Sequence, residues 1–206
     1  RKDAVARYHL APIATSDKMA VYTPNDLMSG TVPTGDVLLY DDDHFYMGGV
    51  LAELLVEQGA KVTLVTPSVQ VSDWTQNTLE QHFIQARLLE LGVNIVTAKA
   101  LRAVHDNHVE AECIYTQAAS EIAADAVVYI TSRTPNDDLW QALKARKSDW
   151  ADAGIQSIKV FGDAEAPAPI AWATYAGHRF ARELDEPELM NDEVPFRREV
   201  VGLAAE

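Results

Sequence analysis

A single cysteine, Cys113, stands in 206 residues. It excludes an internal disulfide, and it excludes a cysteine-ligated iron–sulfur cluster built from this chain alone. No run of 18 apolar residues occurs, so no membrane span is predicted. Bases are scarce: 17 Lys and Arg face 31 Asp and Glu, a formal charge of −14. Phosphate backbones are therefore poor partners for the chain as a whole, and no nucleic-acid role is expected. Glycine and proline are too few for disorder, and 48% hydrophobic residues suffice for a packed core. The chain starts at Arg1 without a signal-peptide pattern, which reads as a cut inside a longer polypeptide, and its composition suits a reducing cytoplasm.

Residues 1–35 lack sustained periodicity and read as a connecting arm with one short helix near residues 25–28. Val37-Leu38-Leu39-Tyr40 then has the form of a buried parallel strand, and a helix over 48–58 closes at Gly59 before the strand Val62-Thr63-Leu64-Val65. Strand, turn, helix, glycine and strand in about 30 residues make a right-handed βαβ unit. A second helix is expected over 77–91, ended by Gly92, and a strand over 93–96. Asp106-Asn107 marks a hairpin between strands at 101–105 and 109–115. An apolar strand at 126–130, a helix at 137–146, a strand at 158–161 and a helix at 169–184 follow; the tail, 185–206, reads as an arm. The fold class expected is α/β, a Rossmann-like doubly wound parallel sheet with an antiparallel β-meander on one face.

Dinucleotide-binding units carry Gly-x-Gly-x-x-Gly after the first strand, so that backbone approaches the pyrophosphate at the helix N-terminus. Here the turn is Asp41-Asp42-Asp43-His44-Phe45-Tyr46-Met47-Gly48-Gly49. Carboxylates stand where phosphate charge would lie; at ~5 Å like charges repel by roughly 3 kcal/mol at an effective dielectric of 20. The acid that meets a ribose is missing too, because the second strand ends Val65-Thr66-Pro67. The unit thus has cofactor-domain architecture without NAD(P)H chemistry. Three other roles fit the acidic turn: a loop capping the next helix, a divalent-metal site of a phosphotransfer or receiver-like domain, or a protein-docking surface. The receiver role requires a lysine on a later strand loop, for which Lys159 is the sole candidate. Gly48 and Gly49 belong to helix–strand packing or to a degenerate cofactor turn.

A second candidate site is Gly162-Asp163, after the strand expected at 158–161. A glycine there permits a sharp turn beside a ligand, and the acid can accept a hydrogen bond from a ribityl hydroxyl. The small residues Ala171, Ala173, Ala176 and Gly177 let the last helix pack closely and aim its N-terminus. Arg133, just after the strand at 126–130, is a candidate phosphate contact. His105 and His108 flank a hairpin turn without a nearby cysteine and read as surface residues, His178 as a surface or packing residue, and Cys113 as a small buried side chain.

The acidic turn with its two flanking strands, together with Val160-Phe161-Gly162-Asp163-Ala164-Glu165-Ala166-Pro167, Gly177-His178-Arg179 and Val194-Pro195-Phe196-Arg197-Arg198-Glu199, resembles the C-terminal region of the trimethylamine dehydrogenase family. The resemblance implies an upstream TIM barrel carrying FMN, a 4Fe–4S cluster, and two dinucleotide-fold domains. It assigns 36–150 to a degenerate NADH-like domain and 151–206 to the closing half of an FAD-like or ADP-holding domain; the candidate cofactor contacts are Gly48, Gly49 and Arg133 in the first and Gly162 and Asp163 in the second. It implies electrons leaving to an electron-transferring flavoprotein. Alone, the chain is expected to turn over no amine and to hold ADP or FAD weakly.

Overall fold

The computed structural model describes residues 2–184. They divide into two compact units, one ending at Arg133 and the other beginning at Thr134. The tail at 185–206, with the expected arm and the Val194–Glu199 motif, lies outside the described residues.

The arm expected over 1–35 instead holds β1 (Ala14–Thr15), β2 (Ala20–Tyr22) and α1 (Pro24–Met28). These strands are too short to show a period, which is why the sequence hides them. The βαβ unit follows as β3 (Asp36–Asp41), α2 (Met47–Glu57) and β4 (Lys61–Val65). Gly59 closes α2 with φ +88°, a left-handed conformation that only glycine adopts without strain.

The helix expected over 77–91 is split. A 3-10 turn, Asp73–Thr78, is followed by α3 (Gln81–Glu90), and Leu79 between them takes φ +63°. Leu79 is 77% exposed, so its strain is offset by little burial. Leu79→Gly should therefore raise stability by about 0.5–1 kcal/mol, as the relief of Cβ strain outweighs glycine's added unfolded-state entropy. A lower denaturant midpoint would show that the leucine side chain holds the turn.

Beyond α3 come β5 (Asn94–Val96), β6 (Lys99–Val104), β7 (His108–Cys113), β8 (Ala119–Ala123) and β9 (Ala126–Ile130). The hairpin at Asp106-Asn107 is formed, and β8, which the sequence reading missed, makes the meander's third strand. The central sheet is parallel with order β2-β9-β3-β4-β5; the second sheet is β1-β6-β7-β8. Alternation along the central strands explains the layers. Val37, Leu39, Val62, Leu64, Val128 and Ile130 pack with Leu51 and Leu55 of α2 and Leu88 of α3. Leu38, Tyr40, Val127 and Tyr129 point the other way, onto Leu101, Val109 and Ala111 of the meander. A sheet covered on both faces requires uninterrupted apolar strands, and β3 and β9 have them.

The second unit contains α4 (Asp138–Ala145) and α5 (Ile170–Glu183). The strand expected at 158–161 is not formed; Gly162–Ala164 is a 3-10 turn. A strand needs a neighbour for its backbone donors and acceptors, and the described part of this unit offers none. Phe161 stacks on Phe180 (centroids 5.3 Å apart), and Gly162 and Gly177 face Ala173 and Phe161, so the small residues do permit a close approach of α5. No described residue from 134 to 184 is buried.

Candidate functional site: the acidic turn at the strand ends

In an open parallel sheet the ligand crevice lies beyond the strand C-termini where the winding reverses. Here that point is between β3 and β9, which pair in register over Val37–Asp41 and Ala126–Ile130. The chain leaves β3 for α2 and β4 on one side, and β9 lies on the other. The acidic turn from β3 and residues 131–133 from β9 thus border one crevice. Asp42 N–H, donating to Ile130 C=O at 2.9 Å, ties the two ends together.

Asp41 is fully buried. Its Oδ1 accepts the N–H groups of Asp43 and His44, both at 3.1 Å, while Oδ2 has no hydrogen-bond partner. That oxygen lies against Gly48 in the first turn of α2: a Cβ on Gly48 would stand 2.2 Å from it. Burial pushes the Asp41 carboxyl up to about 6, against the opposing pull of the His44 N–H and of the His44 side chain.

Asp42 is turned the other way. Its Oδ1 lies 3.1 Å from His44 Nε2, and its Oδ2 accepts Tyr8 N–H at 2.8 Å. His44 sits at φ +66°, with Nδ1 3.5 Å from Thr66 Oγ1 and its carbonyl accepting Trp74 N–H. The N-terminal segment completes the arrangement. Ser132 N–H donates to Val5 C=O, Ala4 is fully buried, and the His9 ring stands 5.9 Å from Tyr40. Residues 4–9 therefore form a strap across the ends of β3 and β9. Nothing in their sequence announces this, since the contacts reach across 34 positions to Asp42 and farther still to Ser132.

Asp43 is half-buried. Burial raises its carboxyl above the ordinary carboxylate range, with Arg133, His44 and Arg7 pulling it down. Arg7 also lies 5.9 Å over the Phe45 ring, and Phe45 packs on Trp74. What stays open is a cleft of about 320 Å³, bordered by Arg7, Tyr8, Asp42, His44, Ser68 and Asp73.

The sequence-predicted residues fall into separate groups. Gly48 faces Asp41, and Gly49 faces Ile84 of α3, whose Cγ2 would be 2.9 Å from an added Cβ. Arg133 is exposed at the end of the first unit. Gly162, at φ +69°, and Asp163, whose Oδ1 accepts Ala168 N–H at 3.5 Å, belong to the second unit, as does Lys159. No group of three or more His, Cys, Asp or Glu among the described residues is placed to hold a metal ion. The rings of His105 and His108 stack at 4.5 Å. Cys113 is half-buried rather than buried, and hydrogen bonds from Thr116 lower its thiol to about 7.

Residues 22–136, more than half the chain, match the family described as the OYE-like second alpha/beta domain. The chain belongs to that family. It is homologous to the dimethylamine dehydrogenase of Hyphomicrobium sp. (strain x), with 30% identity over 91% of this chain and 28% of that protein. The histamine dehydrogenase structure from Rhizobium sp. 4-9 superposes with a TM-score of 0.90 at 53% identity, over all of this chain and 32% of that one. A 6-hydroxypseudooxynicotine amine oxidase from Pseudomonas geniculata N1 gives 0.80 at 36% identity, over 87% of this chain and 26% of that one. Dimethylamine and histamine dehydrogenases are members of the trimethylamine dehydrogenase family, so the resemblance read from the acidic turn and Gly162-Asp163 is upheld. The chain spans about a third or less of the length of these relatives. No described helix is long and apolar enough to cross a membrane.

Proposed function

We propose that this chain is a non-catalytic, nucleotide-fold portion of a flavin-dependent amine dehydrogenase-like oxidoreductase, and that its first unit supports electron transfer without binding NAD(P)H. The observation that carries this reading is the crevice filled by the chain's own groups. Asp41 occupies the ground beside the α2 N-terminus, Gly48 has no room facing it, and the strap at 4–9 lies across the strand ends. A pyrophosphate would have to displace a buried carboxylate, so these residues do not fit the cofactor that the fold family implies. Titration calorimetry with NADH tests the reading: no saturable heat is expected, and micromolar affinity would overturn it.

The second unit is proposed as the closing half of an FAD-like or ADP-holding domain, completed by upstream chain. Its residues fit half of such a site. Gly162 supplies a positive-φ turn, Asp163 a carboxylate beside it, and α5 exposes Ile170, Trp172 and Tyr175, apolar surface that a complete domain would cover. FMN and a 4Fe–4S cluster belong, in this reading, to an upstream TIM-barrel region, and the electron acceptor is an electron-transferring flavoprotein. Gly162 and Asp163 would hold the nucleotide.

A further inference from the structure

We propose that residues 4–9 form an acid-released strap with the His9 ring as its latch: the neutral ring seats in the closed strap, and the protonated ring leaves it and uncovers the ends of β3 and β9. This goes beyond the reading above and does not depend on what the crevice binds. Tyr8 N–H, donating to Asp42 Oδ2 at 2.8 Å, and Ser132 N–H, donating to Val5 C=O at 3.2 Å, tie the strap to the strand ends. Its fully buried side chains, Ala4 and Ala6, are small, so little apolar area opposes lifting. Its outer side meets solvent, and it can lift without opening the core. Of its ionisable side chains, Arg7 and Tyr8 are exposed and His9 is turned inward. His9 Nε2 is buried with no hydrogen-bond partner, and the ring lies against Tyr8 and Tyr40, with centroids 5.2 and 5.9 Å away. A neutral imidazole can leave that nitrogen without a hydrogen. An imidazolium carries a donor on each ring nitrogen, so it would bury an unmet N–H together with its charge. The charged groups around the ring are Asp42, at the end of β3, and Glu112 of β7. Both favour the protonated ring, but neither reaches Nε2, and burial outweighs them, holding His9 below the ordinary histidine value. A lifted ring titrates near the ordinary 6.5, whereas the closed strap resists the proton. The closed form is therefore fully favoured above that pH and loses ground as pH falls below it.

Amide exchange in the whole chain, taken relative to the intrinsic exchange rate at each pH, is the test. With a neutral closed ring and an ordinary lifted one, opening rises by up to roughly tenfold between about pH 7.5 and about pH 5.5. The Tyr8 and Ser132 N–H groups should lose at least about threefold in protection across that range, while core amides of β3 and β9 lose none. His9→Phe keeps an aromatic ring that cannot titrate, and its strap amides should show no such loss. Unchanged protection in wild type overturns the proposal. So does a loss that the core amides share, because it marks general unfolding. A loss retained in His9→Phe overturns it as well, since that response would belong to His44, on the other oxygen of Asp42. A check that needs no variant is the titration of the His9 ring itself, followed by NMR in the wild-type chain. Its midpoint should fall below the ordinary 6.5, and a midpoint at or above that value rejects the latch.

Discussion

Asparagine at position 41 should stabilise the fold more at pH 8 than at pH 4.5, by roughly 2 kcal/mol. The Asp41 carboxyl is raised from an ordinary 3.8 to about 6, with burial as the leading cause. A raised carboxyl means that the folded state holds its proton more tightly than the unfolded state. Below the unfolded value both states are protonated, and Asp41 imposes no penalty. As pH rises from about 4 to about 6 the unfolded chain ionises first, and stability is lost. Above about 6 the buried charge exerts its full unfavourable effect. Asparagine has no such dependence, so its advantage over aspartate must grow across that window. Any constant gain or loss from the amide's own hydrogen bonds cancels in the difference between the two pH values. Urea unfolding of both proteins at pH 4.5 and pH 8 measures it, and parallel stability curves would show that Asp41 is not a buried acid.

Gly48→Ala should weaken the fold by about 2–3 kcal/mol, the scale of an overpacked core position. On helix propensity alone the change would be favourable by about 1 kcal/mol. The sign reverses because the new methyl meets Asp41 Oδ2 at 2.2 Å and Cγ at 2.6 Å, and Asp41, wholly buried, has nowhere to swing. The same substitution at a helical glycine facing open space would cause no such loss. In an Asp41→Gly background the alanine should be neutral or stabilising, so the two sites must be strongly non-additive. Denaturant midpoints for the two single variants and the double variant decide this. An additive cycle would mean that the carboxylate and the glycine do not share the space between β3 and α2.

These two residues also show how far a sequence can be read. Strand, turn, helix and strand over Asp36–Val65 were legible because apolar runs, helical spacing and Gly59 all agreed. The departure from the dinucleotide-binding glycine pattern was legible as well, as three acids where glycines belong. The direction of each acid was not. Asp41 turns inward onto Gly48, Asp42 turns to the strap, and Asp43 lies in the fields of Arg133, His44 and Arg7. Neighbouring residues of one type in a turn carry no local signal of which way each will point. Nor did Val5 and Tyr8 advertise their contacts with Ser132 and Asp42, which are made by backbone groups that every residue possesses. The strand expected at 158–161 failed for the opposite reason. Its apolar run met the local requirement, but strand formation also needs a partner edge.

By itself, the sequence determined the local path of the chain: which segments are helical, which strands are buried on both faces, and that a cofactor-type turn had lost its small neutral residues. Those properties follow from side-chain periodicity and from glycine's backbone freedom, which are written residue by residue. Only the tertiary structure decided what fills the crevice. The filling depends on long-range backbone hydrogen bonds and on the mutual exclusion of volumes, and neither is a property of any single stretch of residues.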